Sequence, residues 1–112
     1  MTASAYTLGM NKDSEKAVEQ YFRRQVIARG WVTWKMAPTE VGIPDRVVLI
    51  PGGAVWFVEL KRARGGVVSP RQRVVHKKIS RGGHNVVVLA GVNEVQMWIR
   101  ERESELENET DG

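Results

Sequence analysis

The sequence predicts a single α/β domain in which the elements follow the order αβββαβα. Three observations support this: apolar residues recur at helical spacing near both ends of the chain, β-branched runs of strand length lie between them, and the segment after the third strand begins with helix-capping residues. The 112 residues, 42% of them hydrophobic and 27% charged, suffice for one modest core. We expect one domain over residues 1–112, with its core at about 13–100 and an acidic tail at 101–112.

The first half of the chain predicts one helix and three strands. An apolar stripe at helical spacing indicates a helix over residues 13–29, with a capping residue at its start and a glycine after its end. Alternating aromatic, β-branched and polar residues indicate a strand at 31–36. The apolar runs at 45–50 and 54–61 are joined by a Pro-Gly-Gly sequence, which predicts a β-hairpin.

The second half predicts a helix, a strand and a final helix. A hydroxyl N-cap at Ser69, a proline at the first helical position and Gln72 three residues after the cap indicate the start of the second helix. The continuous apolar run at 85–89 is typical of a strand buried on both faces. A second capping pair, Asn93 and Gln96, predicts where the final helix starts.

Charge is distributed unevenly along the chain. Residues 1–100 carry 16 basic and seven acidic side chains, whereas residues 101–112 carry six acidic side chains and one arginine. A folded part this basic favours binding to a polyanion such as DNA, although a solvated charged surface explains the same composition.

The composition also excludes several classes of site. The chain has no cysteine, which excludes disulfides, thiol nucleophiles and zinc knuckles. His76 and His84 have no ligand partners at metal spacing, and we interpret both as incidental. An apolar run of membrane-spanning length and a secretory signal pattern are both missing, so we expect a cytoplasmic protein without membrane contact.

Two charged residues stand out in the third predicted strand, which is otherwise apolar on both faces. Glu59 and Lys61 point to the same face, about 6.6 Å apart along the strand, where charges are costly unless they are paired or bound to something. A solvated or mutually paired Glu59 and Lys61 is the simpler interpretation. Asp45 favours another one, because a three-residue hairpin turn places it directly opposite Glu59, whereas a two-residue turn places it opposite Leu60. We predict the three-residue turn.

Two carboxylates beside a lysine match the needs of metal-assisted phosphodiester hydrolysis. Mg²⁺ takes oxygen ligands from one or two carboxylates and leaves its other positions to water and phosphate. Lys61 would orient the attacking water or offset the charge that develops on the phosphate. The sequence therefore predicts a divalent-metal site for Mg²⁺, with Mn²⁺ as a substitute.

A short motif spans the second and third predicted strands, with the residues Gly42, Ile43, Pro44 and Asp45 followed by Glu59, Leu60 and Lys61. It resembles the PD-(D/E)XK nuclease motif, whose core has the order αβββαβ. The stretch 51–61, followed by Ser69, Gln72 and Gly82, is similar more narrowly to the virus-type replication-repair nuclease (VRR-NUC) domain. The resemblance covers about residues 14–95. It implies a restriction-endonuclease-like fold with a mixed central sheet flanked by helices.

The resemblance also implies roles for the motif residues. Carried over by position, it makes Asp45 and Glu59 metal ligands, the Leu60 carbonyl a further ligand, and Lys61 the catalytic lysine.

The resemblance implies two further site residues, an acid of the first helix and Gln72, and each has an alternative interpretation. The family often adds an acid from the first helix. Glu19 has the family's spacing and is expected as a catalytic and metal-binding residue, with Glu15, one turn earlier, as the competing candidate. Gln72 is either an active-site residue, as the family implies, or only the capping partner of Ser69.

Basic residues near the expected site suit DNA phosphates. They are Lys35, Arg62, Arg64, Arg71 and Arg73.

Stand-alone VRR-NUC domains resemble Holliday-junction resolvases, which implies an endodeoxyribonuclease acting on branched DNA. A four-way junction is cut on two symmetric strands, so a chain with one site would act as a homodimer. Residues 1–12 and 93–112 are expected to serve the dimer contact. The alternatives are a flap or nicking nuclease that acts as a monomer, and a nucleic-acid-binding module without catalysis.

Overall fold

The structure, a computed structural model, describes residues 14–111. Its seven elements follow the predicted order. They are α1 (Glu15–Ala28), β1 (Val32–Lys35), β2 (Arg46–Ile50), β3 (Ala54–Lys61), α2 (Pro70–Arg81), β4 (Asn85–Ala90) and α3 (Gly91–Asp111). The expected dimer-contact segment 1–12 lies outside the described residues. Among residues 14–111, no helix combines the length and apolar character needed to cross a membrane.

The four strands form one mixed sheet in the order β1-β2-β3-β4. The first three are antiparallel neighbours, and β4 runs parallel to β3 after the crossover through α2. Ile50 pairs with Ala54, so the β2–β3 turn has three residues, as predicted. Gly52 and Gly53 have φ values of 96° and 101°, a conformation that glycine adopts without the steric cost a side chain would add. This turn fixes the register of both strands.

One face of the sheet, the inner face, carries the hydrophobic core. α1 and α3 pack on it, because each presents apolar side chains at helical spacing. The core consists of Val18, Phe22, Val26, Trp31, Val48, Ile50, Val58, Leu60, Leu89, Val95, Trp98 and Ile99. The Trp98 ring lies 5.7 Å from that of Phe22 and 5.6 Å from that of Trp56, between centroids. These contacts hold α1 and α3 to each other and to β3.

The opposite face, the outer face, is covered only in part. α2 packs over β4, and its N-terminus carries the predicted capping box, in which Ser69 Oγ accepts from the Gln72 backbone N–H at 3.1 Å. Toward β1, Val32, Trp34 and Val55 remain 41%, 60% and 39% exposed. The outer face is therefore apolar and open at β1, and it is covered by α2 at β4.

The final helix starts earlier than its capping residues predicted. α3 begins at Gly91, directly after β4, so the expected start at Asn93 is wrong. Gly91 has a φ of 87°, and a Cβ there would lie 2.7 Å from the Ala63 side chain, so glycine permits a chain reversal without a loop. Glu94 accepts from the Ala90 backbone N–H at 2.9 Å, while Gln96 donates to the Tyr21 hydroxyl at 2.8 Å.

The expected acidic tail is wrong as a description of residues 101–111, which continue α3. Arg102 is 8% exposed and stacks over Trp56 at 4.6 Å and over Trp98 at 5.4 Å from the ring centroids. Its guanidinium also donates to Glu105 at 3.0 Å, and Arg29, the C-cap of α1, pairs with Glu103 at 3.1 Å. The contacts of Arg102 with Trp56 and of Glu103 with Arg29 are tertiary, and with the contacts inside α3 they hold the acidic segment as a helix, although its local composition favours a tail.

Candidate active site

Asp45 and Glu59 meet at the end of the β2–β3 hairpin. Arg46 pairs with Val58, and extending this register by one residue places Asp45 opposite Glu59. Asp45 Oδ2 accepts from the Leu60 backbone N–H at 2.8 Å, and the Asp45 carbonyl accepts from Met36 N at 2.8 Å. The predicted convergence of two carboxylates is therefore present, and it follows from the three-residue turn.

Lys61 lies beside this pair. Its Nζ is 3.3 Å from Glu59 Oε2 and 3.9 Å from Glu15 Oε1, and its side chain is 11% exposed. Lys61 follows Glu59 by two residues on β3, so both side chains leave the same face of the strand. The Lys61 ammonium group and the carboxylates of Asp45 and Glu59 thus lie together in one largely buried corner of the sheet.

The carboxylate pair perturbs the protonation of Glu59, whose side chain is 1% exposed. Its pKa is raised to about 7: burial is the largest cause, the Asp45 charge adds to it, and the Lys61 ammonium group lowers it. The raised pKa shows that burial and the Asp45 charge together outweigh the stabilisation of the Glu59 carboxylate by Lys61.

Gln72 is the capping partner of Ser69 and also contacts Glu59, so the two alternatives left open by the sequence are compatible. Its Oε1 accepts from the Ser69 backbone N–H at 2.9 Å and closes the capping box. Its Nε2 donates to Glu59 Oε2 at 3.0 Å. The start of α2 therefore positions one oxygen of the Glu59 carboxyl group.

His76 lies against the site, which the sequence analysis missed. Its Nε2 is 3.8 Å from Glu59 Oε1, and its side chain is 12% exposed. Burial lowers the pKa of His76, as does the nearby Lys61 charge, whereas Asp45 raises it. The signal was available in the sequence: Gln72 and His76 are four residues apart and so lie on one face of α2.

Glu19 is not brought together with Asp45 and Glu59. It pairs with Arg46 at 2.9 Å and lies 3.8 Å from Lys35, because α1 packs on the inner face, toward which the Arg46 side chain projects. Within residues 14–111, no group of three or more acidic, histidine or cysteine side chains is placed to hold one metal ion. The α1 acid next to the site is Glu15, through Lys61.

Clefts open on both sides of the first turn of α1, and Glu15 lines both. One, of about 350 Å³, is lined by Lys61 and Arg62 among others. The other, of about 470 Å³, is lined by Lys35 and Arg46 among others. Basic side chains thus line both clefts beside Glu15, and one of the clefts includes Lys61 of the site.

The remaining expected DNA contacts are exposed around the loop before α2. Arg62 donates to the Gly65 carbonyl at 3.3 Å, and Arg71 to the Val41 carbonyl at 3.4 Å. Arg64 and Arg73 are also exposed. Like Lys35, whose side chain is 70% exposed, these residues lie at the surface, as a contact with a phosphate group requires.

The donor set fits a hard divalent cation. Asp45 and Glu59 supply carboxylate oxygens, and Glu59 Oε1 is buried with no hydrogen-bond partner among the described residues. Mg²⁺ is commonly held by one or two carboxylates together with water and phosphate oxygens, so two protein carboxylates are enough. A cation at this corner would also relieve the repulsion that raises the Glu59 pKa.

The mixed sheet, the flanking helices and this corner define a restriction-endonuclease-like α/β fold. No model of a known protein family matches the sequence. The chain is, however, 36% identical over 76 residues to the protein named "Putative nuclease p44" of Acyrthosiphon pisum secondary endosymbiont phage 1. The matched region covers 67% of this chain and 81% of that protein. A solved structure described as "VRR_NUC domain" superposes with a TM-score of 0.71 at 30% identity, over 77% of this chain and 94% of that one.

The chain belongs to the VRR-NUC family, as its motif predicted. Its fold is that of a nuclease domain, and the sheet order and flanking helices agree with the expected restriction-endonuclease-like architecture.

Proposed function

We propose that this chain is a divalent-metal-dependent endodeoxyribonuclease. The observation that carries the proposal is the convergence of Asp45, Glu59 and Lys61 at the end of one hairpin, with 3.3 Å between Lys61 Nζ and Glu59 Oε2. Asp45, Glu59 and the Leu60 carbonyl would hold Mg²⁺, or Mn²⁺ in its place. When bound, such a cation lowers the pKa of a water molecule and polarises the phosphate.

The chain's own residues would prepare the scissile phosphate for attack. Lys61 lies between Glu59 and Glu15, and its ammonium group would offset the charge that develops on the phosphate. Gln72 fixes the Glu59 carboxyl group through Oε2. Lys35 and the arginines at 62, 64, 71 and 73 would bind phosphates on either side of the cut.

Glu15 fits the role of the helix acid better than Glu19. Glu15 lies 3.9 Å from Lys61, whereas Glu19 is occupied by the buried Arg46. We infer that Glu15 completes the site from α1 and that Glu19 anchors α1 to the sheet.

We further propose that the substrate is branched DNA and that the active species is a homodimer. One chain holds one carboxylate corner, and the symmetric cleavage of a four-way junction needs two such corners related by a twofold axis. The basic surface around the site supports a DNA partner. Sedimentation of the protein alone and of its complex with a synthetic four-way junction measures this stoichiometry. Two chains per junction are expected, and a strictly monomeric complex would favour the flap or nicking alternative.

A cleavage assay tests the proposed activity. Supercoiled plasmid and a synthetic four-way junction are incubated with Mg²⁺, with Mn²⁺ or with EDTA, using wild-type protein and Glu59→Gln. Cleavage is expected only for the wild type with a metal. DNA binding in EDTA without cleavage under either metal would instead support a binding module that lacks catalysis.

A further inference from the structure

Two buried polar atoms face each other across the active-site corner. Glu59 Oε1 and His76 Nε2 are 3.8 Å apart, and neither has a hydrogen-bond partner among residues 14–111. Buried polar groups in proteins are nearly always hydrogen-bonded, so a facing pair without partners needs an explanation. The separation is slightly too long for a hydrogen bond and short enough to become one through a small side-chain rotation.

The arrangement on α2 indicates what this pair does. Gln72 and His76 are one turn apart on the same face of the helix. Their side chains face different oxygens of the Glu59 carboxyl group. Gln72 Nε2 donates to Oε2 at 3.0 Å, and His76 Nε2 faces Oε1. Two successive turns of α2 therefore reach both oxygens of Glu59.

We propose that His76 is a positioning residue for Glu59: its imidazole donates Nε2–H to Oε1 and, together with Gln72, fixes the plane of the carboxyl group for a bound cation. The inference rests on the proposed function, because it assigns a partner to a proposed metal ligand. Hydrogen bonds to ligating carboxylates are worth about 10- to 100-fold in metal affinity. Packing alone would not need a donor at this position, because an aromatic hydrocarbon of similar size would serve.

The test separates donation from packing. Mn²⁺ binding is measured by calorimetry without DNA for wild type, His76→Phe and His76→Gln, with His84→Phe as the control because His84 is exposed. We expect His76→Phe to bind Mn²⁺ about 10- to 100-fold more weakly. The amide of His76→Gln, which supplies a donor near the same place, should restore most of the affinity. Thermal unfolding in EDTA reports whether each variant folds.

Unchanged Mn²⁺ affinity in His76→Phe would overturn the positioning role and leave the proposed function intact. Absence of Mn²⁺ binding by the wild type would instead contradict the proposed function itself. The two failures are therefore distinguishable.

A second measurement uses the wild type, in case His76→Phe does not fold. The chain has two histidines, so ¹⁵N spectra of the imidazoles contain two spin systems. We expect His76 to be the Nε2–H tautomer and its Nε2 resonance to move when Mg²⁺ is added, while His84 stays unchanged. A His76 that carries its proton on Nδ1, or that does not respond to Mg²⁺, would contradict the proposal.

Discussion

Asp45 accepts a hydrogen bond from the backbone N–H of Leu60, with 2.8 Å between Oδ2 and N. The bond ties the Asp45 carboxylate to the residue directly after Glu59, across the open end of the hairpin. The register of the hairpin therefore places Glu59 opposite Asp45, and the backbone N–H of Leu60 holds the Asp45 carboxylate.

Asp45→Asn separates the geometry of this contact from its charge. The amide oxygen can still accept from Leu60, so the variant should fold with at least wild-type stability. Removing the charge also removes one cause of the raised Glu59 pKa. Cleavage of plasmid should be lost, because one of two anionic ligands is gone. Denaturant unfolding and the cleavage assay check both parts, and wild-type cleavage by Asp45→Asn would contradict the assignment.

The stability of the metal-free protein should depend on pH through Glu59. Its pKa is about 7 in the folded chain against an ordinary value of 4.5, so the folded state binds more protons than the unfolded state between these values. Stability contributed by this group therefore falls as pH rises from 4.5 to 7, by about 3 kcal/mol at most. Unfolding in EDTA across this range measures the effect.

Glu59→Gln should remove this decline, because the amide does not titrate. Glu40→Gln is the matched control, since Glu40 is exposed in a loop and should leave the pH dependence unchanged. A decline of the same size in Glu59→Gln would assign the pH dependence to another group.

The two acids of α1 should behave differently when each is changed to glutamine. Glu19→Gln leaves the buried Arg46 without its ion-pair partner and should cost about 2 kcal/mol of stability, moderated because the Glu19 side chain is 22% exposed. Glu15→Gln should leave stability unchanged, because its side chain is 55% exposed, and should lower cleavage through Lys61. Unfolding and cleavage measured on the same two variants decide between these roles. A stable Glu19→Gln that has lost cleavage would reverse the assignment.

Local signals predicted the parts of the fold that local chemistry determines. The Pro-Gly-Gly turn set its own length, and with it the pairing of Asp45 with Glu59. The capping box at Ser69 likewise depends on residues within one turn. Such features require no knowledge of which elements pack together.

Features that depend on tertiary packing were not predictable in the same way. The spacing of Glu19 was that of an active-site acid, but the sequence did not show that the Arg46 side chain is buried where it captures Glu19. His76 acquires its place beside Glu59 only once α2 packs on the outer face of the sheet. The acidic end of the chain read as a tail because the sequence did not show that its one arginine stacks on Trp56 of a distant strand as well as on Trp98 of the same helix.

Arg102 should therefore stabilise the fold. Arg102→Ala removes the stacking on Trp56 and Trp98 and should lower the free energy of unfolding by about 2 kcal/mol. Arg100→Ala, at an exposed position on the same helix, should change it by less than about 0.5 kcal/mol. Equal effects for the two variants would show that the stacking contributes nothing measurable.

Calorimetric titration with Mn²⁺ tests most directly whether Asp45 and Glu59 share one cation. The wild type should bind Mn²⁺ saturably in the absence of DNA, and Asp45→Asn and Glu59→Gln should each lose this binding while remaining folded. Retention of wild-type Mn²⁺ affinity in either folded variant would contradict the shared site.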